Sequence, residues 1–499
     1  MHPLLPPATG TRVAVSTGRL QSKAVAAVDS LVVLIPERAR AEVWKQLPRG
    51  EKLRKLAAKA AGPLPVCVTR IDNARQTYLA IGRVKADASS FELLTAARKM
   101  VSDASNHASG SLAVAALGFG DESPRIEDAL VAGGLAAMKP MPDFKTKPVP
   151  VRFRSLRLMA AHEKRPMERL LAEAAGNHLA RWLTALPPNL LDARSYRDLV
   201  KELATTHGWQ YKAYSTRELE KLGAGAFLAV AQGNEDDSAT IVRLRYRPRK
   251  GGGSAPVALV GKGIIFDTGG TNLKPFESML DMHGDMQGSA VALGTLLALS
   301  QLEVPMAVDC WLALTENRTG PRAYKSQDLV TALNGKTIQT IHTDAEGRMV
   351  LADTLTLASR EEPSLIVDYA TLTGACVNAV TARYSGVFTN RPDWHPRLKR
   401  TGAESGERVW PFPIGDEFLE ELKSPVADLM QCSIKGSGDH ILAASFLAEF
   451  VGENIPWVHI DLAASDREGG LAHIPSRVTG FGVRYTLALL LDNELAAAQ

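Results

Sequence analysis

Residues 257–270 read VALVGKGIIFDTGG, an apolar run that carries one lysine and ends in an aspartate and two glycines. The preceding run, ATIVRLRYR at 239–247, and the turn residues KGGGSAP at 250–256 predict a β-hairpin with it. The helical pattern GSAVALGTLLALSQL follows at 288–302, and MAVDCWLAL at 306–314 has the composition of a buried strand. This order of strand, helix and strand indicates the fold class.

The same alternation continues toward the C-terminus. GRMVLADTLTLASRE at 347–361 predicts a helix, whereas LIVDYATL at 365–372 and WVHIDLAA at 457–464 predict strands. Apolar strands that alternate with helices indicate an α/β fold with a mostly parallel central sheet flanked by helices. Such sheets bind ligands at the carboxyl ends of their strands.

The first third of the chain has a second α/β pattern, without recognisable chemistry. Its strand-like and helical runs lie at 30–35, 65–70, 78–82, 91–104 and 111–117. A long helical pattern at 167–185 stops at Pro187 and Pro188, because proline lacks the backbone N–H that a helix needs. We therefore predict an N-terminal α/β domain, a linking helix and a second α/β domain, at 1–165, 166–190 and 191–499.

Composition excludes several classes of function. The chain has 499 residues, 45% of them hydrophobic and 22% charged, and a formal net charge of +4. These values are typical of a globular protein and give no reason to expect nucleic acid or a membrane as partner. The N-terminal residues lack a secretory pattern, and the four cysteines lack C-x-x-C spacing. We therefore expect a cytoplasmic protein.

Charged residues interrupt the apolar runs at a few points. In HTDAEGR at 342–348, Asp344, Glu346 and Arg348 occupy alternate positions, so an extended backbone would point them to one side. The other charged positions that follow or interrupt apolar segments are Lys262, Asp267, Lys274 and Asp285. We expect all seven at one edge of the sheet.

Four carboxylates at one place would repel one another unless cations compensate them. Lysine and arginine supply part of the positive charge, but a pair of divalent metal ions would do so better. Carboxylate-rich sites suit Zn²⁺, Mn²⁺ or Mg²⁺, and two such ions about 3.5–4 Å apart form the two-metal hydrolase arrangement. Alone, D-x-E-x-R would ordinarily be a surface salt-bridge ladder; the combined segments favour a metal site.

At these residues the chain resembles the leucyl aminopeptidases, also called cytosol aminopeptidases. TDAEGR at 343–348 is a near-copy of the family signature, and VGKGIIFDTGG resembles the family's V-G-K-G-x-x-F-D-S-G-G. Further matching segments are DYATLTGA at 368–375, SGERVWPFPI at 405–414, KSPVADL at 423–429 and HIDLAA at 459–464. The resemblance covers residues 175 to 495 and is weaker before them. It therefore implies that 191–499 is the catalytic domain and that 1–165 is an assembly or access domain without chemistry.

The resemblance implies two divalent ions, Mn²⁺ or Zn²⁺, held by Lys262, Asp267, Asp285, Asp344 and Glu346, with Asp267 and Glu346 bridging. A lysine binds metal as the free amine, so the pKa of Lys262 would fall well below about 10.4. Lys274 would stay charged and stabilise the oxyanion. Arg348 would hold bicarbonate, which would act as the general base.

The implied activity is the release of N-terminal residues from peptides, because one metal ion can coordinate a free α-amino group. Four small or apolar residues fall where the family binds the first side chain, and they favour Leu or Met: Met282, Thr371, Gly374 and Ala463. The family assembles as a hexamer, so we expect a homohexamer here.

Departures from the family pattern surround the site without removing a ligand. His342 replaces an asparagine, and Asp439 and His440 replace small residues before a helix; Gln287 and Arg318 are further changes. These departures bear on substrate range and metal preference.

Two alternatives stay open. One is a dimetal hydrolase of another substrate, such as a phosphoesterase, although the lysine ligand argues against it. The other is a catalytically altered relative that acts as a DNA-binding or regulatory protein, which the small net charge does not support.

Overall fold

The computed structural model describes residues 2–7, 12–17, 20, 22–59, 64–160, 166–249 and 255–493. The N-terminal part comprises β1 (Arg12–Thr17), α1 (Ser22–Val25), β2 (Ser30–Pro36), α2 (Ala41–Trp44), α3 (Gly50–Ala57), β3 (Cys67–Arg70), β4 (Tyr78–Val84), α4 (Ser90–His107), β5 (Gly110–Ala116), α5 (Ser123–Ala137) and β6 (Phe153–Ala160). Its described strands form one six-stranded sheet, in the order β1-β6-β5-β2-β4-β3, with β3 as the antiparallel edge.

The rest of the chain comprises α6 (Glu168–Thr184), α7 (Ala193–His207), β7 (Gln210–Ser215), α8 (Thr216–Leu222), α9 (Gly225–Ala231), β8 (Thr240–Tyr246), β9 (Val257–Asp267), α10 (Phe276–Met279), α11 (Gln287–Gln301), β10 (Val308–Asn317), β11 (Leu329–Thr331), β12 (Thr337–Gln339), α12 (Glu346–Ser359), β13 (Leu365–Ala370), α13 (Gly374–Val380), β14 (Ser385–Thr389), α14 (His395–Ser405), β15 (Val409–Pro411), α15 (Asp416–Leu419), β16 (Leu429–Met430), α16 (Asp439–Ala448), β17 (Trp457–Asp461) and α17 (Val483–Leu491). Short 3₁₀ turns lie at Gly120–Glu122, Met282–Gly284, Thr381–Arg383, Pro392–Trp394 and Glu420–Leu422.

The larger sheet has the order β15-β14-β17-β13-β9-β10-β8-β7. Its four central strands, β17, β13, β9 and β10, are parallel, and antiparallel pairs flank them on both sides. The central strands are buried on both faces, because one apolar cluster lies between the sheet and each helical layer. The predicted α/β fold with a mostly parallel central sheet is therefore confirmed.

The predicted hairpin of 239–247 with 257–266 is wrong. β10 lies between β8 and β9, antiparallel to the first and parallel to the second. The strongly apolar β10 is buried best in the middle of the sheet, and adjacency in sequence does not decide strand pairing. Residues 250–254 of the predicted turn lie outside the described residues.

The long helix predicted at 167–185 is α6, which packs very closely on α11. A Cβ at Gly176 would lie 2.2 Å from the carbonyl oxygen of Gly294, and a Cβ at Gly294 would lie 2.4 Å from that of Gly176. The crossing therefore depends on two facing glycines. In sequence, the strands of the six-stranded sheet precede α6 and the strands of the larger sheet follow it. The division of roles among 1–165, 166–190 and 191–499 stays a prediction.

Within the described residues, no helix combines the length and the apolar character that crossing a bilayer requires.

Candidate active site

The site begins on β9, where glycines allow unusually close packing. Lys262 lies between Gly261 and Gly263, and a Cβ at Gly261 would lie 2.4 Å from the Cα of Ser289 in α11. A Cβ at Gly288 would lie 2.1 Å from the carbonyl oxygen of Tyr369. The helix can therefore start directly against the sheet, which places the segment before it beside Lys262.

Lys262 is 2% exposed and makes a dense set of polar contacts. Its Nζ lies 2.8 Å from both carboxylate oxygens of Asp285 and 2.9 Å from Oε1 of Glu346. It also donates to the carbonyl oxygen of Thr371 at 2.8 Å. A Cβ at Gly347 would lie 2.8 Å from Nζ, so the glycine of the TDAEGR motif makes room for the ammonium group.

Lys274 joins the other predicted ligands. Its Nζ lies 2.9 Å from Oδ2 of Asp267 and 2.5 Å from Oδ1 of Asp344. Asp267 ends β9, and its Oδ1 accepts from the N–H of Gly269, which holds the turn at a φ of 85°. Ligand oxygens of Asp267, Asp344 and Glu346 all lie within 4.8 Å of one another.

The expectation that Asp344, Glu346 and Arg348 share one side of an extended segment is wrong. Asp344 lies in a turn, and α12 begins at Glu346, so Glu346 and Arg348 lie in the first helical turn. A carboxylate is stabilised at a helix N-terminus by the backbone N–H groups and the helix dipole. Of the charged residues, Asp267 ends a central strand, whereas Lys262 lies inside one and Asp285 follows a 3₁₀ turn.

The carboxyl groups of the cluster do not behave as ordinary acids. Burial raises the pKa of Asp285 to about 6, and burial with repulsion from Asp267 raises the pKa of Asp344 and of Glu346 to about 7. The neighbouring lysines oppose these shifts but do not cancel them. The cluster therefore has more negative charge than its two lysines compensate.

The same charges act on the two lysines. Burial would lower the pKa of Lys262, but Asp285, Glu346 and Asp267 outweigh burial and raise it. The pKa of Lys274 is raised in the same way, against burial, most strongly by Asp267. Without metal ions both lysines are charged, and the low pKa expected for a lysine ligand would have to come from the metal ions themselves.

Two supporting residues were not predicted from the sequence. Asn317, at the end of β10, donates through Nδ2 to Oδ1 of Asp267 at 2.8 Å and to the carbonyl oxygen of Thr343 at 3.0 Å. Asp461, at the end of β17, accepts from the hydroxyl group of Thr373 at 2.7 Å and from the N–H of Leu372 at 3.2 Å. A polar residue that ends an apolar strand was the available signal in both cases.

A cavity of about 700 Å³ opens above the charged cluster. All four residues expected at the first side chain line it together with the predicted ligands: Met282, Thr371, Gly374 and Ala463. The wall also carries a charged group that the sequence analysis missed. Arg477 donates to Asp281 at 2.6 Å and to Asp466 at 2.8 Å, and all three side chains are about half exposed.

Arg348 is the predicted site residue that does not line this cavity. It is 1% exposed, and its Nη2 donates to both carboxylate oxygens of Asp439, at 2.8 and 2.7 Å. Its Nη1 donates to the carbonyl oxygen of Gln431 at 3.2 Å, while Nε has no hydrogen-bond partner among the described residues. The guanidinium group expected to hold bicarbonate thus already holds a carboxylate of the same chain.

Comparison with known proteins identifies the family of this chain. Residues 178–487 match the model of the cytosol aminopeptidase family, catalytic domain. This chain belongs to the cytosol aminopeptidase family. It is 38% identical over 375 residues to a probable cytosol aminopeptidase of Geobacter sp. (strain M21), a match that covers 74% of this chain and 76% of the relative. A probable cytosol aminopeptidase of Solibacter usitatus is 40% identical over 325 residues, which cover 65% of this chain and 67% of the relative.

Among solved structures, the chain is similar to the bottromycin maturation enzyme BotP in complex with Mn. The TM-score is 0.81 at 30% sequence identity, and the match covers 93% of this chain and 99% of BotP. The cytosol aminopeptidases are metal-dependent peptidases, so this chain is a hydrolase of the leucyl aminopeptidase type. The predicted family and enzyme class are thereby confirmed.

Proposed function

We propose that this cytosol aminopeptidase uses two divalent metal ions to release an N-terminal residue, with a preference for Leu or Met, from peptides. The carboxylate cluster carries the proposal: oxygens of Asp267, Asp344 and Glu346 lie within 4.8 Å of one another, beside the contact between Lys262 and Asp285. These five residues would be the metal ligands.

The donor set fits divalent cations. Its carboxyl pKa values are raised by burial and mutual repulsion, which is the condition that an added positive charge relieves. Carboxylate oxygens suit Mn²⁺ and are accepted by Zn²⁺, and BotP was solved with Mn. When bound, such ions polarise the peptide carbonyl group and supply an activated water molecule.

Lys274 is the residue that we assign to the developing negative charge. Its side chain is 13% exposed and lines the cavity, so a substrate carbonyl oxygen can reach it. Asp267 and Asp344 hold its ammonium group in place and keep it charged. A fixed positive donor stabilises an oxyanion more than the neutral carbonyl group, which lowers the barrier rather than tightening ground-state binding.

The cavity supports the proposed preference for an apolar first residue. Met282 and Ala463 provide apolar contacts, and Thr371 and Gly374 add little bulk. An unpaired charged side chain would lose hydration against these surfaces. Homohexamer assembly remains a prediction from the family, and a cytoplasmic location remains a prediction from the sequence. The bicarbonate expected at Arg348 meets a guanidinium group that Asp439 already contacts.

The proposal is tested with aminoacyl-anilides and metal-free protein to which Mn²⁺, Zn²⁺, Co²⁺ or Mg²⁺ is restored. We expect no activity without metal, two ions per chain at full activity, and faster cleavage of Leu- and Met-anilide than of the Asp and Lys compounds. N-acetyl-Leu-anilide is the matched control, because it lacks the free α-amino group and should not be cleaved. Full activity with no more than one ion per chain at saturating Mn²⁺ would contradict the two-metal mechanism.

A further inference from the structure

Arg348 and Asp439 form an ion pair to which the proposed function assigns no role. The guanidinium group is buried in the first turn of α12, two residues after Glu346. A buried positive charge needs a compensating anion. Among the described acidic side chains, Asp439 is the one within ion-pair distance of Arg348, and both of its oxygens contact Nη2.

The backbone around Arg348 ties this ion pair to the metal-ligand segment. Gln431, whose carbonyl oxygen accepts from Arg348, also donates through Nε2 to the carbonyl oxygen of Ala345 at 3.0 Å. Its Oε1 accepts from the N–H groups of Ile341 and His342, both at 3.1 Å. Asp439 is therefore connected, through Arg348 and Gln431, to the turn that presents Asp344 and Glu346.

Asp439 also lies at a helix N-terminus with access to solvent. It is the first residue of α16, a helix of ten residues, and its N-cap Gly438 has a φ of 65°. The N-terminal end of a helix favours a carboxylate. The Asp439 side chain is 27% exposed, so water and small ions can reach the position that it occupies.

We propose that Asp439 is a built-in anion that takes the place, at Arg348, of an anion from solution. The inference rests on the proposed two-metal aminopeptidase activity, in which the resemblance implies a proton-accepting anion at this arginine. The chain would then work without bicarbonate. If Asp439 is removed, Nη2 becomes free beside the unpaired Nε, and the two N–H donors form a fork that suits bicarbonate or formate.

The test compares two substitutions at one position. Asp439→Gly empties the position, whereas Asp439→Asn removes the charge but leaves an amide of the same size there. Because the resemblance implies a proton-accepting anion at Arg348, metal-loaded Asp439→Gly should lose roughly 10²–10⁴ in kcat, and added bicarbonate or formate should restore much of it. Asp439→Asn should be equally slow and should not be restored. Wild type should be indifferent to both anions.

Anion binding provides a readout that needs neither metal nor turnover. Titration of the metal-free proteins with ¹³C-bicarbonate, followed by NMR, should detect saturable binding to Asp439→Gly, and none to wild type or to the double variant with Arg348→Ala. Asp309→Ala is the matched control, because Asp309 is a buried partner of Arg245 and Arg247 at the start of β10, away from the site. Its kcat should not respond to bicarbonate.

Two results would overturn the proposal: a severalfold rise in wild-type kcat with bicarbonate, or full activity of folded Asp439→Gly or Asp439→Asn. Circular dichroism establishes that each variant is folded. If wild type with both metals cleaves no aminoacyl substrate, the proposed function fails, and the NMR titration still decides the inference. Bicarbonate binding to Asp439→Gly, without binding to wild type or to the double variant, would support the inference. The absence of binding to Asp439→Gly would refute it.

Discussion

Loading the metal-free enzyme with two divalent ions should release protons, and the number released should fall as pH rises. Metal ligands bind in their deprotonated forms. Without metal, Lys262 is charged, the pKa of Asp285 is about 6, and those of Asp344 and Glu346 are about 7. Each proton present before loading must leave when the ligands bind.

The expected number follows from these values. Near pH 6 the two carboxyl groups at about 7 are mostly protonated, Asp285 is half protonated and Lys262 carries one proton, so loading should release about three protons per chain. Near pH 9 the carboxyl groups are already ionised, so Lys262 should be the ligand that still releases about one proton. Water activated by the ions should add up to about one more proton at this pH. Apparent metal affinity should therefore rise with pH, most steeply below about 7.

Isothermal titration calorimetry in buffers of different ionisation enthalpy measures the released protons. Lys262→Met is the informative variant, because it should release about one proton fewer than wild type near pH 9 and keep most of the additional release near pH 6. A wild-type release that does not fall between pH 6 and 9 would show that the carboxyl groups are ionised before metal arrives. A release of zero near pH 9 would refute Lys262 as a charged group that becomes a ligand.

Three further predictions concern catalysis, helix packing and buried charge. Lys274→Ala should lower kcat by roughly 10²–10³ in steady-state assays, and a change confined to KM would assign it to ground-state binding. Gly294→Ala should destabilise the chain by about 1–3 kcal/mol because α6 and α11 must separate, seen as a lower Tm, whereas Gly320→Ala, whose Cβ would meet one atom at 3.9 Å, should not. Burial raises the pKa of Glu407 from 4.5 to about 7, so the folded chain loses stability as pH rises through this window. The Tm of Glu407→Gln minus the Tm of wild type should therefore increase from pH 5 to 8, and a difference that does not change with pH would contradict the shift.

The sequence by itself determined the family, the α/β class and most of the chemistry-bearing residues. The apolar periods of α11, β10 and β13 predicted those elements within a few residues, because burial requires such patterns locally. The charged positions between these elements could be recognised from their types and spacing alone. The motif at 343–348 identified the family before any geometry was known.

Tertiary structure decided the features that depend on partners distant in sequence. Local periodicity does not specify which strand neighbours which, so the place of β10 between β8 and β9 could not be predicted. Charged residues at the alternate positions 344, 346 and 348 are compatible with a strand and with the start of a helix. The packing of α12 decides in favour of the helix. Arg348 and Asp439 are 91 positions apart, and the fold brings them together because a buried guanidinium group requires an anion.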